Sequence, residues 1–129
     1  MGYNTDGLTF NTLREGNIAR LPLFKNSKGE IAHSKTDGSD WSRAEWLEAV
    51  VGELGEYANE SKKYRRGDLN AAEFKTKATK ELADVVIYID ILAMQLGIDL
   101  GQAVMEKWNE VSRRVGVNIY IDETGWHYL

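Results

Sequence analysis

The chain is 129 residues long, enough for a single domain, with a formal charge of −4 and no cysteine. The acidic balance excludes a protein that coats nucleic acid, which would show a basic stripe. The missing cysteine excludes disulfides, thiolate metal sites and a cysteine nucleophile, and suits a reducing cytoplasm.

Residues 1–10 lack the basic start and apolar stretch of a signal peptide. No membrane partner is expected either. The longest apolar run, 85–96, is interrupted by Tyr88, Asp90 and Gln95 and is too short for a bilayer. Residues 1–40 form an N-terminal segment repeatedly broken by Gly7, Gly16, Gly29, Gly38 and Pro22. Within it, 9–19 suits a short helix, and 21–24 with 31–33 suits a small hairpin around an Asn26–Gly29 turn. A helical core, 41–114, follows. Ser42 and Glu45 spell a capping box, and Leu47, Val50, Leu54 and Tyr57 then recur at helical spacing as far as Gly67. A second helix is expected from Asn70 or Ala71 to Gly97. Its β-branched stretch, 85–91, would pass for a strand, but the whole segment is too long for one. Asp99 caps a third helix with Leu100, Ala103, Val104, Trp108 and Val111 on one face and Gly116 beyond its end. The tail, 115–129, alternates Val115, Val117, Ile119 and Ile121, and reads as a short strand or extended arm. The expected class is an all-α bundle in one domain. Because its second long helix is apolar on several sides, a homodimer or homotetramer is expected to complete the cover.

The chemistry lies in two short spacings, Glu53-Leu-Gly-Glu56 and Glu81-Leu-Ala-Asp84. Residues three apart on a helix share a face, separated by about 4.5 Å of rise, so each motif offers two oxygen ligands in one direction. A lone Glu-x-x-Glu is usually a solvated surface. Here Glu81 and Asp84 are embedded among Leu82, Val85, Val86 and Ile87, and a second motif stands on the neighbouring helix. Four converging carboxylates would repel one another unless divalent cations neutralised them. Oxygen-only ligation suits Mg²⁺ or Mn²⁺, with more than one ion per site. Glu60, one turn beyond Glu56, is expected to be an ordinary surface acid.

The Glu-x-x-Glu, spacer, Glu-x-x-Asp pattern, followed by Gly97-Ile-Asp-Leu100 and a helix bearing Lys107, resembles the MazG-like members of the all-α nucleoside triphosphate pyrophosphohydrolases over 41–114. The stretch Leu13-Arg-Glu-Gly-Asn-Ile-Ala-Arg-Leu-Pro-Leu-Phe24 and Lys107-Trp-Asn-Glu-Val-Ser112 resemble the short phage-type members in particular. The resemblance implies a helical fold assembled from dimers. It also implies Mg²⁺-dependent hydrolysis of a nucleoside or deoxynucleoside triphosphate to monophosphate and pyrophosphate, in the cytoplasm (the host's, for a phage-encoded protein). Carried onto this chain, Glu53, Glu56, Glu81 and Asp84 become catalytic metal ligands, Tyr88 meets the sugar and Lys107 meets phosphate. Two departures stand out. Gly52 occupies the place of the first Glu in a frequent Glu-Glu pair, and Val111 that of a frequent Asn, leaving its contact to Asn109 or Ser112. Phage-type relatives in some cases act on guanine nucleotides while others are housecleaning enzymes of broad range; the resemblance leaves base and sugar open, with dGTP or GTP the favoured substrate.

Asn17 and Arg20 are further candidates for a base or phosphate contact, and Trp41 or Trp46 for base stacking. His33 reads as a loop residue. Lys62, Lys63, Arg65 and Arg66 read as a solvated helix end, where cations favour the dipole. In the expected mechanism the metals polarise the phosphates and activate a water against the α-phosphorus, one carboxylate, with Glu56 favoured, orienting or deprotonating it. No glycine-rich phosphate loop with Gly-Lys-Ser/Thr and no Glu-x-x-His pair of a di-iron bundle occurs. The rival reading is a non-catalytic, regulatory module that binds nucleotide or metal.

Overall fold

A computed structural model describes residues 6–129. Four helices, α1 (Phe10–Arg20), α2 (Arg43–Arg65), α3 (Ala71–Gln95) and α4 (Leu100–Val115), precede a two-stranded antiparallel sheet, β1 (Ile119–Asp122) and β2 (Gly125–Tyr128). The class is mainly helical, as the sequence implies. In the tail, the short strand expected around Ile119 and Ile121 forms, and the chain then folds back as a hairpin instead of running out as an arm. Asn109 explains where the hairpin sits. Its amide donates to the Ile121 carbonyl and accepts from the Ile121 N–H, both at 2.9 Å, so the outer edge of β1 is satisfied by α4.

Each helix begins where a side chain can satisfy an orphan amide. Thr9 accepts from the Thr12 N–H, and Asn70 accepts from Glu73 while Glu73 reaches back to the Asn70 N–H, a complete capping box. Asp99 accepts from Gln102. Ser42 forms only half of the box expected of it: it accepts from the Glu45 N–H, but the Glu45 carboxylate meets the Ser42 hydroxyl and not its amide. The expected N-terminal hairpin is likewise partial. Leu21–Leu23 winds into a single 3₁₀ turn with Pro22 near its start, and only Lys25 and Ile31 bridge across the Asn26–Gly29 turn.

Helices α2 and α3 are antiparallel and make the most extensive packing in the molecule. Tyr64 stacks on Phe74 beside the connecting turn, with centroids 4.8 Å apart, and Trp46 meets Tyr88 at the far end. The core gathers at that far end, where Leu21, Trp46, Ile91 and Met94 are buried and Trp41, Ile87, Tyr88 and Leu92 pack around them. Losing a buried Trp such as Trp46 would cost about 3–5 kcal/mol. Helix α1 is held across α3 by a buried polar cluster. Asp90, only 1% exposed, takes Arg14 at 3.1–3.2 Å and the Asn17 amide at 2.9 Å, while Arg14 also donates to the Ile98 carbonyl. Breaking such a buried pair from one side costs roughly 3–5 kcal/mol. Where α1 crosses α4, Gly101 is required by space: a Cβ there would sit 2.8 Å from the Phe10 Cβ.

Candidate metal centre

Antiparallel packing of α2 on α3 brings the two acidic motifs face to face. Glu53, Glu81 and Asp84 each offer a carboxylate oxygen within 4.8 Å of the others, and all three are half-buried, so together they form a group able to hold a metal ion. The structure offers a direct check on that fit. Glu53 Oε2 is buried and has no hydrogen-bond donor, so a cation would satisfy an oxygen that the described residues leave orphaned.

Glu56 stands at the rim, exposed and beside Glu81. Its carboxyl is pushed above the ordinary value by the side chain of Glu81, first through a shared hydrogen bond and then through charge. Glu81 is raised as well, chiefly by its hydrogen bond with Glu53, with burial and the charges of Glu53 and Asp84 adding to it. Carboxylates this close cannot all ionise freely without a counter-charge. Tyr88, one turn after Asp84, borders the same face. Burial raises its phenol first, and the charges of Glu53, Asp84 and Glu56 raise it further, while Arg20 alone opposes them.

Arg20, the last residue of α1, is therefore near enough for its charge to act on Tyr88. Its guanidinium lies 5.3 Å from the Phe24 ring and makes no ion pair among the described residues. Beyond Tyr88 is an aromatic nest: Trp46 lies 4.6 Å from Trp41 and 5.3 Å from the stacked His33 ring. The Trp46 indole donates to the Gly38 carbonyl, Gln95 donates to the Trp41 carbonyl, and Asp40 ties the intervening loop by accepting the Ser34 and Lys35 amides. The backbone bond from Lys35 is the main reason the Asp40 carboxyl sits below its usual range.

Several sequence expectations need correcting. Asn17 is buried, and its amide is spent on Asp90, so it cannot reach a ligand. Asn109 is spent on the hairpin backbone. Lys107 lies on α4, which makes no contact with α2; it pairs with Glu110 at 3.1 Å and borders a groove lined by Val104, Trp108 and Val111. Within one protomer it is not on the carboxylate face. Glu60 is no ordinary surface acid: it is half-buried, bound to Lys63 at 3.3 Å, with its second oxygen unpartnered. His33 lies in a loop, as expected, but is buried at 5% exposure, with Nδ1 unbonded. Asp90 and Arg14 were missed altogether, although an acid inside the apolar run 85–96 was the signal that could have found them. Comparison with protein-family models finds no match, and neither curated proteins nor solved structures give one.

Proposed function

We propose that the chain is a metal-dependent nucleoside triphosphate pyrophosphohydrolase, a hydrolase releasing monophosphate and pyrophosphate, and that dGTP or GTP is its preferred substrate. The observation that carries the reading is the convergence of Glu53, Glu81 and Asp84, one oxygen of which is buried without a donor. Oxygen-only ligation selects Mg²⁺ or Mn²⁺. Glu56, outside that group and beside Glu81, would be the ligand of a second ion. The bound ions supply charge neutralisation at the phosphates and a more acidic water. Glu56 is suited to take a proton, because its raised affinity brings it closer to the operating pH than a free carboxylate. Arg20, whose charge acts on Tyr88 and which has no ion pair among the described residues, would hold a phosphate oxygen. Tyr88 and Trp41 form the wall against which the sugar and base would lie.

The test is pyrophosphate release from a panel of ribo- and deoxynucleoside triphosphates with Mg²⁺. Turnover with guanine nucleotides favoured is the expected result. Nucleotide binding without any release would instead support the non-catalytic module.

The same reading includes a homodimer, or a tetramer built from two. Leu47, Val51 and Leu54 on α2 and Leu82, Val86 and Ile89 on α3 recur at helical spacing, each between 38% and 56% exposed, apolar surface that a second copy would cover. Light scattering at micromolar concentration should give at least twice the 14.6 kDa chain mass. An active species of single-chain mass would overturn the assembly.

A further inference from the structure

Asp90 is the most buried acid in the molecule, yet it has no place among the metal ligands. Its two oxygens receive the Arg14 Nε and Nη2 and the Asn17 amide, all from α1. Arg14 is fixed a second time by the Ile98 carbonyl at 2.8 Å, so α1 is tied to the loop between α3 and α4 as well as to the last turns of α3. Arg20 follows Asn17 by one turn on the same short helix, and the next residue, Leu21, is buried in the core against which Tyr88 packs. The angle at which α1 crosses α3 therefore decides where the guanidinium of Arg20 stands. An apolar side chain at position 90 would bury as well; a charge there selects one crossing geometry, because Arg14 and Asn17 can satisfy it only from one direction.

We propose that Asp90 is a positioning residue of the nucleotide site: through Arg14 and Asn17 it sets α1 so that Arg20 meets the phosphates of a bound triphosphate. The inference rests on the reading of the carboxylate face as a nucleotide site, but it concerns binding and not cleavage. Asp90→Asn keeps the size of the side chain, removes the charge that draws Arg14 and turns an N–H₂ group toward the Asn17 amide.

The probe is the Mg²⁺ complex of α,β-methylene-dGTP, which cannot be cleaved between its α- and β-phosphates. Its affinity is measured by calorimetry for the parent, Asp90→Asn, Arg20→Ala and the double variant, beside Mn²⁺ affinity without nucleotide. Each single change should weaken nucleotide binding about tenfold and the double also about tenfold instead of a hundredfold, because both act through one contact. Mn²⁺ affinity should stay within about twofold, since its ligands lie on α2 and α3. Losses that multiply in the double variant, or a Mn²⁺ affinity that falls with Asp90→Asn, would overturn the positioning role. Arg14→Gln, at the 22%-exposed rim of the cluster, carries the same cycle if Asp90→Asn does not fold. A parent that binds the probe but never releases pyrophosphate from dGTP refutes the hydrolase reading and leaves the coupling result to stand.

Discussion

Glu81→Gln and Asp84→Asn should each lower turnover of the preferred triphosphate roughly a hundredfold or more, about 2.7 kcal/mol of transition-state stabilisation, while the helical circular-dichroism spectrum stays that of the parent. Both changes keep side-chain size and hydrogen-bonding capacity and remove the charge that a divalent ion requires. Both residues lie in the half-buried group whose oxygens sit within 4.8 Å of one another. Mn²⁺ affinity should fall in parallel with turnover. In the absence of metal, Glu81→Gln should be slightly more stable than the parent, because it removes a charge from a self-repelling cluster. The control is Glu48→Gln, an exposed position of α2 outside the cluster, which should move stability by less than about 0.5 kcal/mol and leave turnover unchanged. Glu60 is unsuitable for that purpose, being wedged in the seam and bound to Lys63. Equal losses in Glu48→Gln and Glu81→Gln would remove the metal centre from these residues.

Chelation is expected to have an equally large effect, on stability as well as on rate. With EDTA turnover should vanish, and Mg²⁺ or Mn²⁺ should restore it. The pH dependence of the chelated protein then has a definite sign. Glu56 and Glu81 hold their protons more tightly in the folded chain than the ordinary glutamate value of 4.5. The folded state thus binds more protons than the unfolded one as pH climbs above 4.5, and stability falls with rising pH across that window. It is complete below 4.5 and lost as pH passes the raised folded-state values. Mg²⁺ should flatten the fall, because a bound cation offsets the repulsion that causes it. Melting temperatures recorded against pH in EDTA and in Mg²⁺ measure this directly. Full turnover in a chelated sample, or the same pH slope with and without Mg²⁺, would contradict the reading.

The sequence by itself determined the helices and their ends. Asn70, Asp99 and Gly116 are local devices, acting within one turn of the backbone, and local devices are legible in one dimension. Helical spacing also led to the expectation that four carboxylates, Glu53, Glu56, Glu81 and Asp84, would converge if the two helices packed antiparallel; three of them do, and Glu56 stands at the rim. What only the tertiary structure decided are contacts between residues far apart in the chain. The fate of a polar side chain there depends on which partner reaches it first. Asn17 and Asn109 looked like ligand-binding amides, yet a buried acid 73 residues away and a strand 12 residues away claimed them. Lys107 sits at the right spacing on its own helix, but α4 packs away from α2 and takes it off the carboxylate face. Helix α1, a segment of weak periodicity, is held across α3 because Asp90 pairs with Arg14 and Asn17. A buried charge must be paired, and no pattern in a single segment says from where its partner will come.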